Sequence, residues 1–147
     1  MAETLGSLCD KLTIIKLKAW HSNDTAQLIS LQKQSVQMQT EIDEYIEDAM
    51  LGKIQPEKLT FSAHKVYPKE NNFVPEILGS IGEVFSRLAS VNCQLWHTQE
   101  HVYEFEKVPI EEKDTVIKQL AVLNLERTRC INQIDDYFKQ KIVSITI

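Results

Sequence analysis

Lys11-Leu12-Thr13-Ile14-Ile15-Lys16-Leu17-Lys18-Ala19-Trp20-His21-Ser22-Asn23-Asp24 returns 76 residues later as Arg87-Leu88-Ala89-Ser90-Val91-Asn92-Cys93-Gln94-Leu95-Trp96-His97-Thr98-Gln99-Glu100. Leu, Trp and His are identical, and Lys/Arg, Ile/Val, Ser/Thr, Asn/Gln and Asp/Glu are chemical matches. The chain holds two tryptophans, and each precedes a histidine. Self-similarity at a fixed offset marks a repeated supersecondary unit. Upstream, Leu5-Gly6-Ser7 echoes Leu78-Gly79-Ser80 at offset 73, which needs a three-residue slip. Downstream, Ile42-Asp43-Glu44-Tyr45-Ile46 matches Ile134-Asp135-Asp136-Tyr137-Phe138 at offset 92, so the second copy is 16 residues longer between its halves.

If each copy is an antiparallel helical hairpin, that extra length divides evenly between two arms. A first turn near Ser22–Thr25 then places the second near residue 108. Val108-Pro109 stands there, and proline inside a helix loses a hydrogen bond and clashes with the preceding turn. The hydrophobic periods agree. Leu5, Leu8, Leu12, Ile15 and Ala19 step by three or four, the spacing of one helix face. Leu28, Leu31, Ser35, Met38, Ile42, Tyr45 and Ala49 continue in a different phase, which breaks the helix between them with Ser22 or Asp24 as N-cap. Gly52 reads as the residue just past a helix end. Ile77, Ile81, Val84, Leu88, Val91 and Leu95 form a third stripe, with Pro75 in its first turn. Ile117, Leu120, Leu123, Cys130, Ile134 and Tyr137 form a fourth. The expected fold is all-α, an up-and-down four-helix bundle built from two tandem hairpins. It is one domain over 1–147: hairpin one over 3–51, a connection over 52–74, hairpin two over 75–141 and a tail over 142–147. The connection carries Pro56, Pro68 and a polar run. It exceeds the ~2–8 residues usual between bundle helices, so it crosses the bundle or carries a function. The tail alternates apolar and polar residues, as a short strand or a partner-binding extension would.

Composition narrows the class. The 147 residues are 43% hydrophobic and 25% charged, with four Gly and four Pro, too few for a sandwich, a barrel or a disordered chain. No Gly-rich loop supports a dinucleotide or P-loop site. A formal charge of −5 and a pI near 5.4 argue against general nucleic-acid binding, which needs a basic face. No apolar run approaches the ~20 residues of a membrane span. Met1-Ala2-Glu3-Thr4 does not open like a secretory signal. Cys9, Cys93 and Cys130 contain no C-x-x-C pair and read as reduced thiols. These features together imply a cytoplasmic protein.

The run from Leu5 to His21 resembles the opening of a bacterial family of small all-helical proteins, which share an acidic-basic-Leu-Ser/Thr-Ile stretch ending in Trp-His. Leu123-Asn124-Leu125-Glu126-Arg127 and Ile134-Asp135 resemble that family's later Leu-Asn-x-x-Arg and Ile-Asp segments. The likeness covers about a third of the chain. The family often has Asn where Lys16 stands; here Asn occurs only in the second copy, as Asn92. The resemblance implies a bacterial origin, near surface-glycan genes, and no established activity.

Candidate functional residues follow from the helical wheel. Trp20 and Trp96 fall on the flanks of their stripes, where each can seal a hairpin edge with its indole N–H bonded nearby. His21 and His97 fall opposite the stripes, with Ile14, Leu17 and Cys93. Helices one and three are therefore apolar almost all round, which places them centrally or at an interface. This favours a homodimer through Ile14, Leu17, His21 and His97, and a further protein partner would use the same kind of face. Asn92, Asn124 and Arg127 lie near the inner face of hairpin two. They form a structural polar network with Asp135, or, with Trp96 as a stacking wall and Lys65, Tyr67 and Lys69 from the connection, bind a small anion. His21-x-x-Asp24 and His97-x-x-Glu100 resemble the Glu-x-x-His pairs of dimetal bundles, with Glu41, Asp43, Asp135 and Asp136 on the other helices. The inward stripes place no carboxylates at matched depth, and Asp24 serves equally as a cap, so no cofactor is expected. His97-Thr98-Gln99-Glu100-His101 has the H-x-x-E-H spacing of inverted zinc proteases, but too little chain follows for such a domain. The leading expectation is a non-catalytic, self-associating interaction or adaptor domain. The alternative is an all-α phosphate- or nucleotide-handling enzyme with a divalent metal held by His97, Glu100, Asp43 and Asp135, or a binder of small anions.

Overall fold

The computed structural model describes residues 2–61 and 77–146. Four helices account for most of them, as expected: α1 (Leu5–His21), α2 (Thr25–Met50), α3 (Ile81–Tyr103) and α4 (Ile110–Thr146). Short 3₁₀ turns occupy Pro56–Lys58 and Phe105–Lys107, and no strand occurs among the described residues. α1 and α2 pack together, as do α3 and α4, giving the two helix pairs of an all-α four-helix bundle.

Each boundary has a local cause. Thr4 Oγ1 accepts the Ser7 amide at 3.1 Å and starts α1. Asp24 Oδ1 accepts the amides of Ala26 (2.9 Å) and Gln27 (3.2 Å) and starts α2, the anionic cap suiting the positive end of the helix. At the other end of α2, Gly52 takes φ +72°, which a residue without Cβ reaches freely. Lys53 N–H then donates to Asp48 O and Gly52 N–H to Ala49 O, closing the helix as a Schellman motif.

α3 begins at Ile81, later than expected. Gly79, at φ +126°, turns the chain, and Ser80 Oγ caps the Glu83 amide at 3.3 Å. Ile77 is buried all the same, at 2% exposure, from outside the helix. Pro75 lies outside the described residues. Leu5-Gly6-Ser7 stands inside α1 whereas Leu78-Gly79-Ser80 precedes α3, so these two triplets are not structurally equivalent. The residues that cap the two helices, Thr4 and Ser80, are 76 apart, the offset of the Trp-His match. α3 is six residues longer than α1, and the turn that follows it is three residues longer than the turn after α1.

The tail does not form a strand. α4 runs on through Thr146, and Ile142, 1% exposed, extends a row with Cys130, Ile134 and Phe138 at four-residue steps. The expected fourth stripe also shifts: Ile117 and Tyr137 are exposed, and Phe138 is buried instead. At 1.5 Å per residue, α4 is about 55 Å long.

The described chain forms two compact units, residues 2–61 with 131–146, and residues 77–130. In the first, Gly6 of α1 lies against Ile131 and Asp135 of α4. Its N–H donates to Asp135 Oδ1 at 2.7 Å, and a Cβ there would stand 2.5 Å from Ile131 O. Tyr45 and Phe138 rings meet at 5.6 Å, Phe61 and Phe138 at 6.1 Å, and Tyr45 Oη donates to Thr60 O. In the second unit, Val91, Leu95 and Leu123 cluster with Leu120.

Candidate functional site

The second unit carries a cleft of about 510 Å³ where α3 turns into α4. His101 borders it from α3, Glu104 and Lys107 from the turn, and Glu112, Thr115 and Gln119 from α4. Val108 is buried at the turn, and Pro109 O accepts the Glu112 amide at the start of α4. Lys107 Nζ lies 3.4 Å from Glu104 Oε1, and Lys113 Nζ stands over the Phe105 ring at 4.8 Å. Charged side chains of both signs thus line the cleft together with the apolar Val108, Pro109 and Val116.

His101 also contacts His97. Their rings lie edge to face, centroids 5.0 Å apart at 87°, one helical turn separating them on an exposed face. The Glu100 of the same H-x-x-E-H run is engaged elsewhere: its Oε1 accepts the Trp96 indole N–H at 3.1 Å.

The candidate anion-binding residues of the second hairpin are buried or half-buried. Asn92 is 1% exposed and Trp96 half-buried. Asn124 Nδ2 donates to Leu120 O one turn back in its own helix, and Asn124 O accepts from Thr128 Oγ1. Arg127 is half-buried beside Glu126, whose carboxylate pairs with Arg87 at 3.6 Å. None of Asn92, Trp96, Asn124 and Arg127 lines the cleft at the turn. Lys65, Tyr67 and Lys69 lie outside the described residues.

The metal candidates are distributed over three helices. His97 and Glu100 belong to α3, exposed Asp43 to α2, and Asp135 is buried against Gly6. Among the described residues, no group of three or more His, Cys, Asp and Glu side chains is placed to hold a metal ion.

The expected interface residues differ from one another. Ile14 and Leu17 are half-buried, and His21 is exposed with Nδ1 2.8 Å from Leu17 O. Trp20 does not seal the hairpin edge. It is 86% exposed, whereas its counterpart Trp96 is half-buried and hydrogen-bonded. A helical wheel gave both the same flanking position and could not say which flank a neighbouring element covers.

Buried ionisable groups line α1 and its neighbours. Burial, then the negative charges of Asp135 and Asp10, push the Cys9 thiol up to about 11. Burial, then Asp135, pushes Tyr45 up to about 12. Burial also pushes Cys130 up to about 11, the nearby Arg87 opposing and Glu126 adding to the shift. At the surface, Glu3 is held below the usual carboxylate range by its hydrogen bonds to Lys11 and Ser7. No helix of the described residues is long and apolar enough to cross a membrane.

Compared with family models, curated proteins and solved structures, the chain matches none.

Proposed function

We propose that the protein is a non-catalytic helical interaction module that self-associates through α1. The observation carrying this reading is Trp20, 86% exposed on a described helix. Ile14, Leu17 and Trp20 follow one another at three-residue intervals, so they form one ridge that a facing helix can receive. Tryptophan is among the side chains that contribute most when buried in the centre of an interface. A second copy offers the same ridge, and a twofold axis pairs it with itself. His97, the fourth residue of the expected interface, belongs to the second unit and is not needed for this contact.

The two hairpins are, on this reading, copies of one duplicated unit in a bacterial protein. The equal spacing of the Thr4 and Ser80 caps and of the two Trp-His pairs supports the duplication.

The test is Trp20→Ser, compared with the native chain by light scattering across a dilution series. An exposed side chain can be replaced without loss of fold, so helicity should be unchanged. Loss of a central aromatic costs at least ~2 kcal/mol, so the dimer constant should weaken about 30-fold. Identical dissociation curves for the two proteins would rule out the Trp20 ridge.

A further inference from the structure

We propose that His97 and His101 form a two-imidazole chelating site for a divalent transition-metal ion of the zinc type, with water completing the coordination. Histidines four residues apart on a helix point the same way, which is why metal sites on helices use this spacing. Both residues are exposed, so desolvation does not oppose the entry of an ion. Their separation also fits the metal. A zinc ion about 2.0–2.1 Å from each ring nitrogen lies about 3.2 Å from each ring centre. Two centres 5.0 Å apart then subtend about 103° at the metal, close to the tetrahedral angle zinc adopts. The rings now meet edge to face, and the terminal torsion of an exposed histidine is soft enough to turn a nitrogen of each ring toward a shared ion.

The neighbours define what the site is. Glu100, between the two histidines in sequence, is hydrogen-bonded to Trp96, so the pair does not constitute the water-activating motif of a zinc protease. Cys93 stands one turn before His97, exposed on the same face, and is the rival ligand. Ring contact is between His97 and His101, which assigns the ion to the imidazole pair. The first hairpin lacks the device. His21 has Leu17 four residues before it and Thr25 four after, and its Nδ1 already faces Leu17 O. Because His101 also borders the cleft, a bound ion would sit at the cleft's edge, beside the last turn of α3. The site is independent of the α1 ridge.

Zinc chloride titrated calorimetrically into the full chain tests it. One saturable site per chain in the micromolar range is expected. A second ligand on the same rigid helix acts at high effective concentration, so His97→Ala and His101→Ala should each weaken binding about 100-fold. Alanine is at least as good a helix former as histidine, so circular dichroism of both variants should be unchanged. His21→Ala and Cys93→Ser should bind as the native chain does. Absence of saturable heat, or His101→Ala binding as the native chain does, would overturn the proposal. So would loss of binding in Cys93→Ser.

Discussion

Gly6 and Gly82 are each the second residue of a helix, yet a methyl group would meet opposite surroundings at the two positions. At Gly6 it would stand 2.5 Å from Ile131 O and 2.8 Å from Asp135 Oδ1, and the backbone carbonyl cannot move aside cheaply. Gly6→Ala should therefore destabilise the chain by about 1–3 kcal/mol, the usual cost of overpacking, read from the urea midpoint. At Gly82 a Cβ meets nothing within 4 Å, and Gly82→Ala should stabilise by about 0.4–1 kcal/mol through the unfolded state. The sequence does not distinguish the roles of the two glycines, because the carbonyl that meets Gly6 comes from 125 residues away. The thiols also divide. Cys93 is exposed, while Cys9 and Cys130 are shielded and their ionisation is suppressed. Each folded value, about 11, lies above the ordinary 9.0, so their contribution to stability is whole below about pH 9 and is lost as pH rises toward 11. Tyr45 adds a loss between 10 and about 12 in the same direction. The unfolding temperature should thus be insensitive to these groups at neutral pH and decline above pH 9. An unchanged melting temperature from pH 8 to 11 would contradict the shifts.

Helices are where sequence and structure agree most closely. All seven residues of the α2 stripe, from Leu28 to Ala49, are buried or half-buried, because an element with one covered face repeats its burial with the period of the helix. The break at Ser22-Asn23-Asp24, a cap at Ser22 or Asp24 (Asp24 in the structure) and the Gly52 terminator are readable for the same reason: each depends on a side chain or a missing Cβ at that place. The start of α3 was harder, since apolar spacing alone carried the stripe back through Ile77 while Gly79 and Ser80 set the real boundary. Six alternating residues at the chain end fit a strand as well as a helix, and Ile142 joins a helical row that begins at Cys130. That assignment has a direct consequence. Ile142→Ala should cost about 2–5 kcal/mol, as other buried Ile truncations do, measured by denaturant unfolding. A loose partner-binding tail would lose almost nothing.

For the whole molecule, α3 is longer than α1 and α4 longer than α2, and α4 contributes to both compact units. The cleft at the α3–α4 turn was not legible, because it arises where charged turn residues meet α4 rather than from any stripe. The spacing of His97 and His101 is visible in the sequence, whereas their ring contact and the hydrogen bond of Glu100 to Trp96 depend on side-chain placement. The exposed indole of Trp20 is the feature that makes self-association the leading reading, and it concerns the native chain in dilute solution. Sedimentation equilibrium tests this most directly. The account predicts a mass rising with concentration toward twice the 17.0 kDa of one chain. A mass that stays at 17.0 kDa up to the millimolar range would contradict it.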